Sequence, residues 1–192
     1  IDQVIPQYSY TGEEVPVASV EIDEEGRVLI ALARSGRGIE IYRSDPEINS
    51  FERIATVGRA GGEEVAVAPR ISRTDTGRFI LFVTKPFSLE SAQEGDLESL
   101  GVTYAVSSDG SDWSQLEPLI TDPDLSYVYL PSHTSYFGRE YVAFQATPPE
   151  SRYYQLYLTY SDDGGRSWSE PVRLTDFQDN LFGTDDPDPE LY

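Results

Sequence analysis

The chain has 192 residues, enough for one domain with a substantial core, two small domains being the alternative. Fourteen Lys and Arg against 34 Asp and Glu leave a net charge of −20, which disfavours bulk electrostatic binding to nucleic acid or an anionic membrane and otherwise serves solubility. With no cysteine there is no disulfide framework, thiolate nucleophile or zinc-thiolate site, and no apolar run approaches the roughly 20 residues of a membrane span.

Abundant tyrosine and frequent turn formers predict an all-β chain. From the N-terminus, Pro16 to Ile22 alternates apolar and polar residues, turns at Asp23-Glu24-Glu25-Gly26 and returns through Arg27 to Leu32 as a hairpin. Ile39 to Tyr42 and Phe51 to Val57 follow as a third and a fourth strand. A second unit opens at Pro69-Arg70-Ile71-Ser72, turns at Thr74 to Gly77 and returns through Arg78 to Val83. After the polar stretch Lys85 to Leu100, its third strand begins near Gly101 and its fourth spans Ser114 to Ile120. The third unit has Pro131-Ser132-His133-Thr134, a turn at Phe137-Gly138-Arg139, Glu140 to Phe144, Tyr154 to Tyr160 and Pro171 to Leu174. Its opening proline lies 62 residues after Pro69, which lies 53 after Pro16. Four-stranded repeats of this length point to propeller blades, about 15–58, 65–121 and 127–176. Asp186 to Tyr192 reads as the start of a fourth, at 184–192.

Each third strand ends in a polar loop. Ser161-Asp162-Asp163-Gly164-Gly165-Arg166-Ser167-Trp168 supplies short oxygen-bearing side chains that bond their own backbone, glycines that allow positive φ, and a large apolar plug. Ser107 to Trp113 is the same loop one residue shorter. Ser44 to Phe51 keeps both serines and the aromatic, but Pro46 and Ile48 replace the Asp and the second Gly. The pattern S-x-D-x-G-x-S-W resembles the Asp-box of the BNR-repeat, sialidase-like β-propellers. The resemblance implies a partial β-propeller of three four-stranded antiparallel blades plus the start of a fourth, half of an expected six-bladed ring. It makes Ser107, Asp109, Gly110, Trp113, Ser161, Asp163, Gly165 and Trp168 architectural, with both tryptophans as core plugs. It also places ligands on the opposite face, among the connections between second and third strands and between blades.

Candidate binding residues are then Arg70, whose Arg-Ile matches part of the sialidase Phe-Arg-Ile-Pro-like motif; His133, the only histidine; and Tyr127, Tyr129, Arg152 and Tyr153 at the ligand face. Val17 and Ser132 stand where further arginines of a carboxylate-gripping triad would be needed, so the triad is unsupported. Without a G-x-S-x-G motif a Ser-His-Asp triad has no support in the sequence either, and a lone inner-strand histidine is more often a hydrogen-bonded core group. Asp185-Asp186-Pro187 resembles the Asp-Pro that opens the first blade of several propeller glycoside hydrolases, against a solvated loop as the plainer reading. Calcium at Asp122, Asp124, Asp185, Asp186 and Asp188 is the alternative to solvent-relieved repulsion. No catalytic residue and no cofactor is assigned.

With no methionine, Ile1 is not a translational start, and the chain is expected to be a piece of a longer polypeptide or one of two copies that close the ring. The expected function is a non-enzymatic binding or assembly module of an exported or surface bacterial protein, outside the cytoplasm, taking a protein or glycan ligand. The alternative is part of a sialidase-like or other propeller glycoside hydrolase.

Overall fold

A computed structural model of the chain describes residues 18–34, 38–58, 67–84, 101–149 and 153–177. Every regular element among them is a strand: β1 (Ala18–Ile22), β2 (Val28–Arg34), β3 (Gly38–Ser44), β4 (Phe51–Val57), β5 (Val67–Arg73), β6 (Phe79–Thr84), β7 (Val102–Ser107), β8 (Glu117–Pro118), β9 (Ser126–Tyr136), β10 (Arg139–Thr147), β11 (Gln155–Ser161) and β12 (Val172–Arg173). They form three four-stranded antiparallel sheets, β1–β4, β5–β8 and β9–β12, each with its strands in chain order. No helix among the described residues is long and apolar enough to cross a membrane. Residues 184–192, proposed as the start of a fourth unit, lie outside the described residues, as do Pro16, Val17 and the 85–100 insertion.

Local chemistry makes the first hairpins. Asp23 Oδ1 accepts from the N–H groups of Glu25 (3.0 Å) and Arg27 (2.8 Å), while Gly26 takes φ 76°. In the second unit Thr74 Oγ1 accepts from Arg78 N–H at 3.0 Å. The third turn has only two residues, Phe137 and Gly138, both at positive φ, the geometry that matches strand twist.

The sheets stack face to face. Leu29, Ile39, Ile41 and Val57 of the first meet Ile71, Phe79, Leu81 and Ala105 of the second. On the other side of the second sheet, Ile80, Phe82, Val102 and Tyr104 meet Val142, Phe144, Ala146 and Tyr157 of the third. A strand covered on both faces needs a continuous apolar run, and β6 is Phe-Ile-Leu-Phe-Val-Thr; β10 alternates buried with half-buried residues instead. The inner strands β1, β5 and β9 lie side by side at the hub without a shared ladder. Radial sheets with consecutive inner strands at the hub form an arc of a β-propeller.

Two strands differ from the sequence reading. β8 is only two residues long because Pro118 has no N–H to give; irregular bonds, Ser114 N–H to Val106 O (2.9 Å) and Leu119 N–H to Val102 O (2.8 Å), carry the edge instead. β9 starts at Ser126, so Tyr127 to Tyr129 belong to the inner strand and not to a connection. Pro131 is tolerated inside it because the pairing with β10 shifts register there and Leu130 takes φ 52°.

Candidate functional site

The inner strands leave their edge N–H groups to be satisfied by side chains. Ser19 Oγ of β1 accepts from Ile71 N–H (3.1 Å) and Glu21 Oε2 from Arg73 N–H (3.0 Å). Ser135 Oγ of β9 accepts from Asp75 N–H (3.0 Å), and Asp75 Oδ2 accepts from Gly138 N–H (2.8 Å). Between these bridges lies an open polar cleft of about 440 Å³, lined by Glu21, Ser72, Arg73, Asp75, His133 and Ser135 among others.

His133 forms the wall of the cleft, with its side chain 2% exposed. Its Nε2 lies 2.9 Å from Oε2 of Glu140, which is fully buried, and its Nδ1 lies 2.7 Å from Ser72 Oγ. A carboxylate only accepts, so Nε2 carries the hydrogen and Nδ1 accepts from the Ser72 hydroxyl. Phe82 closes one side of the ring at 5.7 Å between centroids. Burial pulls the His133 pKa below its ordinary value, outweighing the hydrogen bond and charge of Glu140 and the charge of Glu21, and keeps the imidazole neutral near pH 7. Glu140 Oε1 is buried with no hydrogen-bond partner.

The repeat shows how unusual this pair is. Phe79 faces Ser107 across its sheet as Glu140 faces Ser161, and Val28 N–H bonds the corresponding Ser44. Counting back through the inner strands, His133 stands where the other units have Val20 and Ile71, and Glu140 where they have Val28 and Phe79. Two apolar positions of the repeat have become an ionisable pair. Such a breach of the local rule marks functional or strained sites.

The polar loops after β3, β7 and β11 all sit at the same end as the first hairpins. Ser161 Oγ accepts from Gly165 N–H (2.9 Å), and Asp163 Oδ1 accepts from Arg166 and Ser167 N–H (2.9 and 3.0 Å). Ser107 Oγ and Asp109 Oδ1 repeat this with Gly110, Ser111 and Asp112. In the first unit Asp45, one residue earlier, takes over, accepting from Asn49 N–H (2.7 Å) and Ser50 Oγ (2.8 Å). Trp113 packs on the core between the first two sheets, Trp168 on the core between the last two.

The structure scatters the other sequence candidates. Arg70 is exposed on β5, opposite Phe82. Tyr129 packs edge-to-face on Tyr154 (4.8 Å), and burial, with the Tyr154 hydroxyl, pushes its pKa up to about 12. It is separated from His133 along β9 by the bend at Leu130 and Pro131. Tyr153 is exposed; Arg152 and the Tyr127 side chain lie outside the described residues, as do Asp185, Asp186 and Asp188. Asp122 Oδ1 accepts from Asp124 N–H at 2.9 Å, capping its own turn. Sequence reasoning missed Ser72, Glu21 and Glu140; setting the three units in register exposes Glu140, where Val28 and Phe79 predict an apolar residue.

No protein-family model and no curated protein sequence matches the chain. Solved structures do. An α-L-arabinanase of Penicillium chrysogenum complexed with arabinobiose is 17% identical with a TM-score of 0.57, over 82% of this chain and 50% of that one. A protein of unknown function from Dyadobacter fermentans is 14% identical with a TM-score of 0.58, over 81% and 50%. A polysaccharide lyase, PL25 ulvan lyase, is 19% identical with a TM-score of 0.55, over 82% and 38%. The likeness is one of fold. The chain spans about half or less of the length of these structures. Within the propeller arc, the cleft opens where β1, β5 and β9 end, beside the turns that lead to β2, β6 and β10, so it lies at the same end as the polar loops and not on the opposite face, where the sequence reading placed ligands.

Proposed function

We propose that this chain is part of a propeller that binds and acts on carbohydrate outside the cytoplasm, with the cleft between its inner strands contributing to the glycan site. The observation that carries this reading is a concave, polar cleft at the hub of a fold shared with an arabinanase and an ulvan lyase. This favours the glycan-acting alternative over a purely non-enzymatic module, and a polysaccharide-acting propeller over a sialidase. In this reading the three polar loops are Asp-boxes and hold the architecture, and further blades complete the ring. Those blades cover the apolar residues now exposed on the outer sheets, among them Val20, Ile22, Val172 and Leu174.

The cleft's carboxylates Glu21 and Asp75 face one guanidinium, Arg73, already paired with Glu24, and the chain carries a net charge of −20. Neutral sugars are therefore favoured over sulfated uronides. The test is titration calorimetry with arabinobiose and with an ulvan disaccharide. Saturable binding of the neutral sugar, weakened by Asp75→Asn, supports the reading; no binding of either sugar refutes it.

A further inference from the structure

We propose that Ser72, His133 and Glu140 form a nucleophilic serine relay, and that the cleft removes O-acyl groups from a polar carrier. The sugar identity of that carrier rests on the reading above; the chemistry of the serine does not. In this repeat Ser72 sits on the second sheet and the His133–Glu140 pair on the third, so the relay is assembled only by the packing of two blades.

Each member has the geometry its role requires. Ser72 borders the open cleft, its Oγ at 2.7 Å from a ring nitrogen that accepts. Glu140, fully buried, fixes the tautomer from the other side at 2.9 Å, and its second oxygen has no hydrogen bond to spread its charge. A carboxylate so placed stabilises the imidazolium that forms when the serine reacts. The order of ring nitrogens is reversed relative to the usual serine triad, with Nδ1 serving the nucleophile, but the proton path is equivalent. Arg73 borders the same cleft, but its guanidinium is paired with Glu24 of the first unit, so the oxyanion is not assigned a side-chain donor. Blades one and two lack this combination, having Val20 with Val28 and Ile71 with Phe79 at the paired positions.

The reaction balances with water alone. As Ser72 Oγ bonds to the acyl carbon, its proton passes to His133 Nδ1 and the carbonyl electron pair moves onto oxygen. Collapse breaks the ester C–O bond, and the leaving alkoxide takes the proton from Nδ1. Water then attacks the acyl-serine by the same route, giving a carboxylic acid and free Ser72. Ser72 and His133 are the catalytic residues; Glu140 is a positioning residue.

The experiment treats the intact chain with a fluorophosphonate and, separately, with p-nitrophenyl acetate, neither of which carries a sugar. Mass spectrometry is expected to place the phosphonyl adduct on Ser72, and p-nitrophenolate release is expected to be lost in Ser72→Ala. His133→Gln should slow both reactions by about 10²–10⁴-fold. In the wild type, labelling should rise with pH to a plateau by about pH 7 as the last His133 is deprotonated. Glu140→Gln should keep the adduct site but displace that profile, which a merely structural carboxylate would not do. If Ser72 of the folded wild type stays unlabelled at pH 7 and above, the proposal is overturned whether or not His133→Gln folds. Acyl transfer without sugar binding would leave the relay standing and remove the glycan carrier; sugar binding without Ser72 labelling would do the reverse.

Discussion

Asp163 accepts from two backbone N–H groups and from the Ser167 hydroxyl (2.7 Å), while Ser161 donates to it at 2.7 Å. Burial raises its pKa, but these bonds outweigh it and hold the pKa at about 2. The folded value lies below the unfolded one, so the stabilisation is complete above about pH 3.9 and is lost as the pH falls toward 2. Asp163→Ala should cost about 1–2 kcal/mol at pH 7 and clearly less at pH 2, read from urea midpoints at the two pH values. His133 has its folded pKa depressed too, but as a base. Its contribution is complete above about pH 6.5 and drains away as the pH drops below that, where the unfolded chain takes up the proton. Removing one partner strands the other: His133→Ala should cost about 3–5 kcal/mol by leaving Glu140 buried and unpaired. The double variant His133→Ile with Glu140→Phe, copying the second blade, should melt at or above the wild-type temperature. A double variant as unstable as the single one would show that the pair itself stabilises the fold.

Between elements, the loops work as spacers that set how closely blades approach. A Cβ on Gly110 would come within 2.7 Å of Leu29 Cδ2 in the preceding blade, and one on Gly165 within 2.7 Å of Ile80 Cδ1, the matching residue one blade on. Both glycines also have positive φ, 78° and 84°. Gly165→Ala therefore combines backbone strain with overpacking and should cost about 2–4 kcal/mol. Gly26→Ala, at φ 76° with open space around its Cβ position, carries only the strain, about 1–2 kcal/mol. Equal losses in thermal unfolding would remove the spacer role. Trp168 packs against Phe82 (6.1 Å) and edge-on to Tyr104 (5.8 Å) of the preceding blade. Trp168→Ala should cost about 3 kcal/mol, toward the low end for aromatic deletions because the ring is only partly buried. An unchanged midpoint would show that the ring does not join the blades. The serine after each tryptophan repeats as well: Ser114 Oγ takes Val106 N–H and Ser169 Oγ takes Tyr160 N–H, at 3.0 and 3.1 Å.

For the whole molecule, completion of the ring is the prediction to test. Val172 and Leu174 on the outermost strand region of the third sheet are 58% and 54% exposed. If a further blade covers them in the complete protein, the isolated chain should bind a hydrophobic dye there, and Val172→Glu with Leu174→Glu should reduce its fluorescence; undiminished dye binding would place the sticky surface elsewhere. The strand order and the three corners were legible in the sequence because each depends on neighbours in the chain. Alternation reports which faces are buried, Gly26 and Gly77 report turns, and Ser161 with Asp163 bonds only its own loop. Where a local signal had an unexpected substitute, as when Asp45 replaced the missing aspartate at Pro46, the loop survived by shifting its acceptor by one residue. The relay was not legible in that way. His133 and Glu140 come together across one hairpin, but Ser72 reaches them from another blade, 61 residues away in sequence. Periodicity can say that a residue faces inward, but only the packing of sheet on sheet decides which hydroxyl, ring and carboxylate it meets.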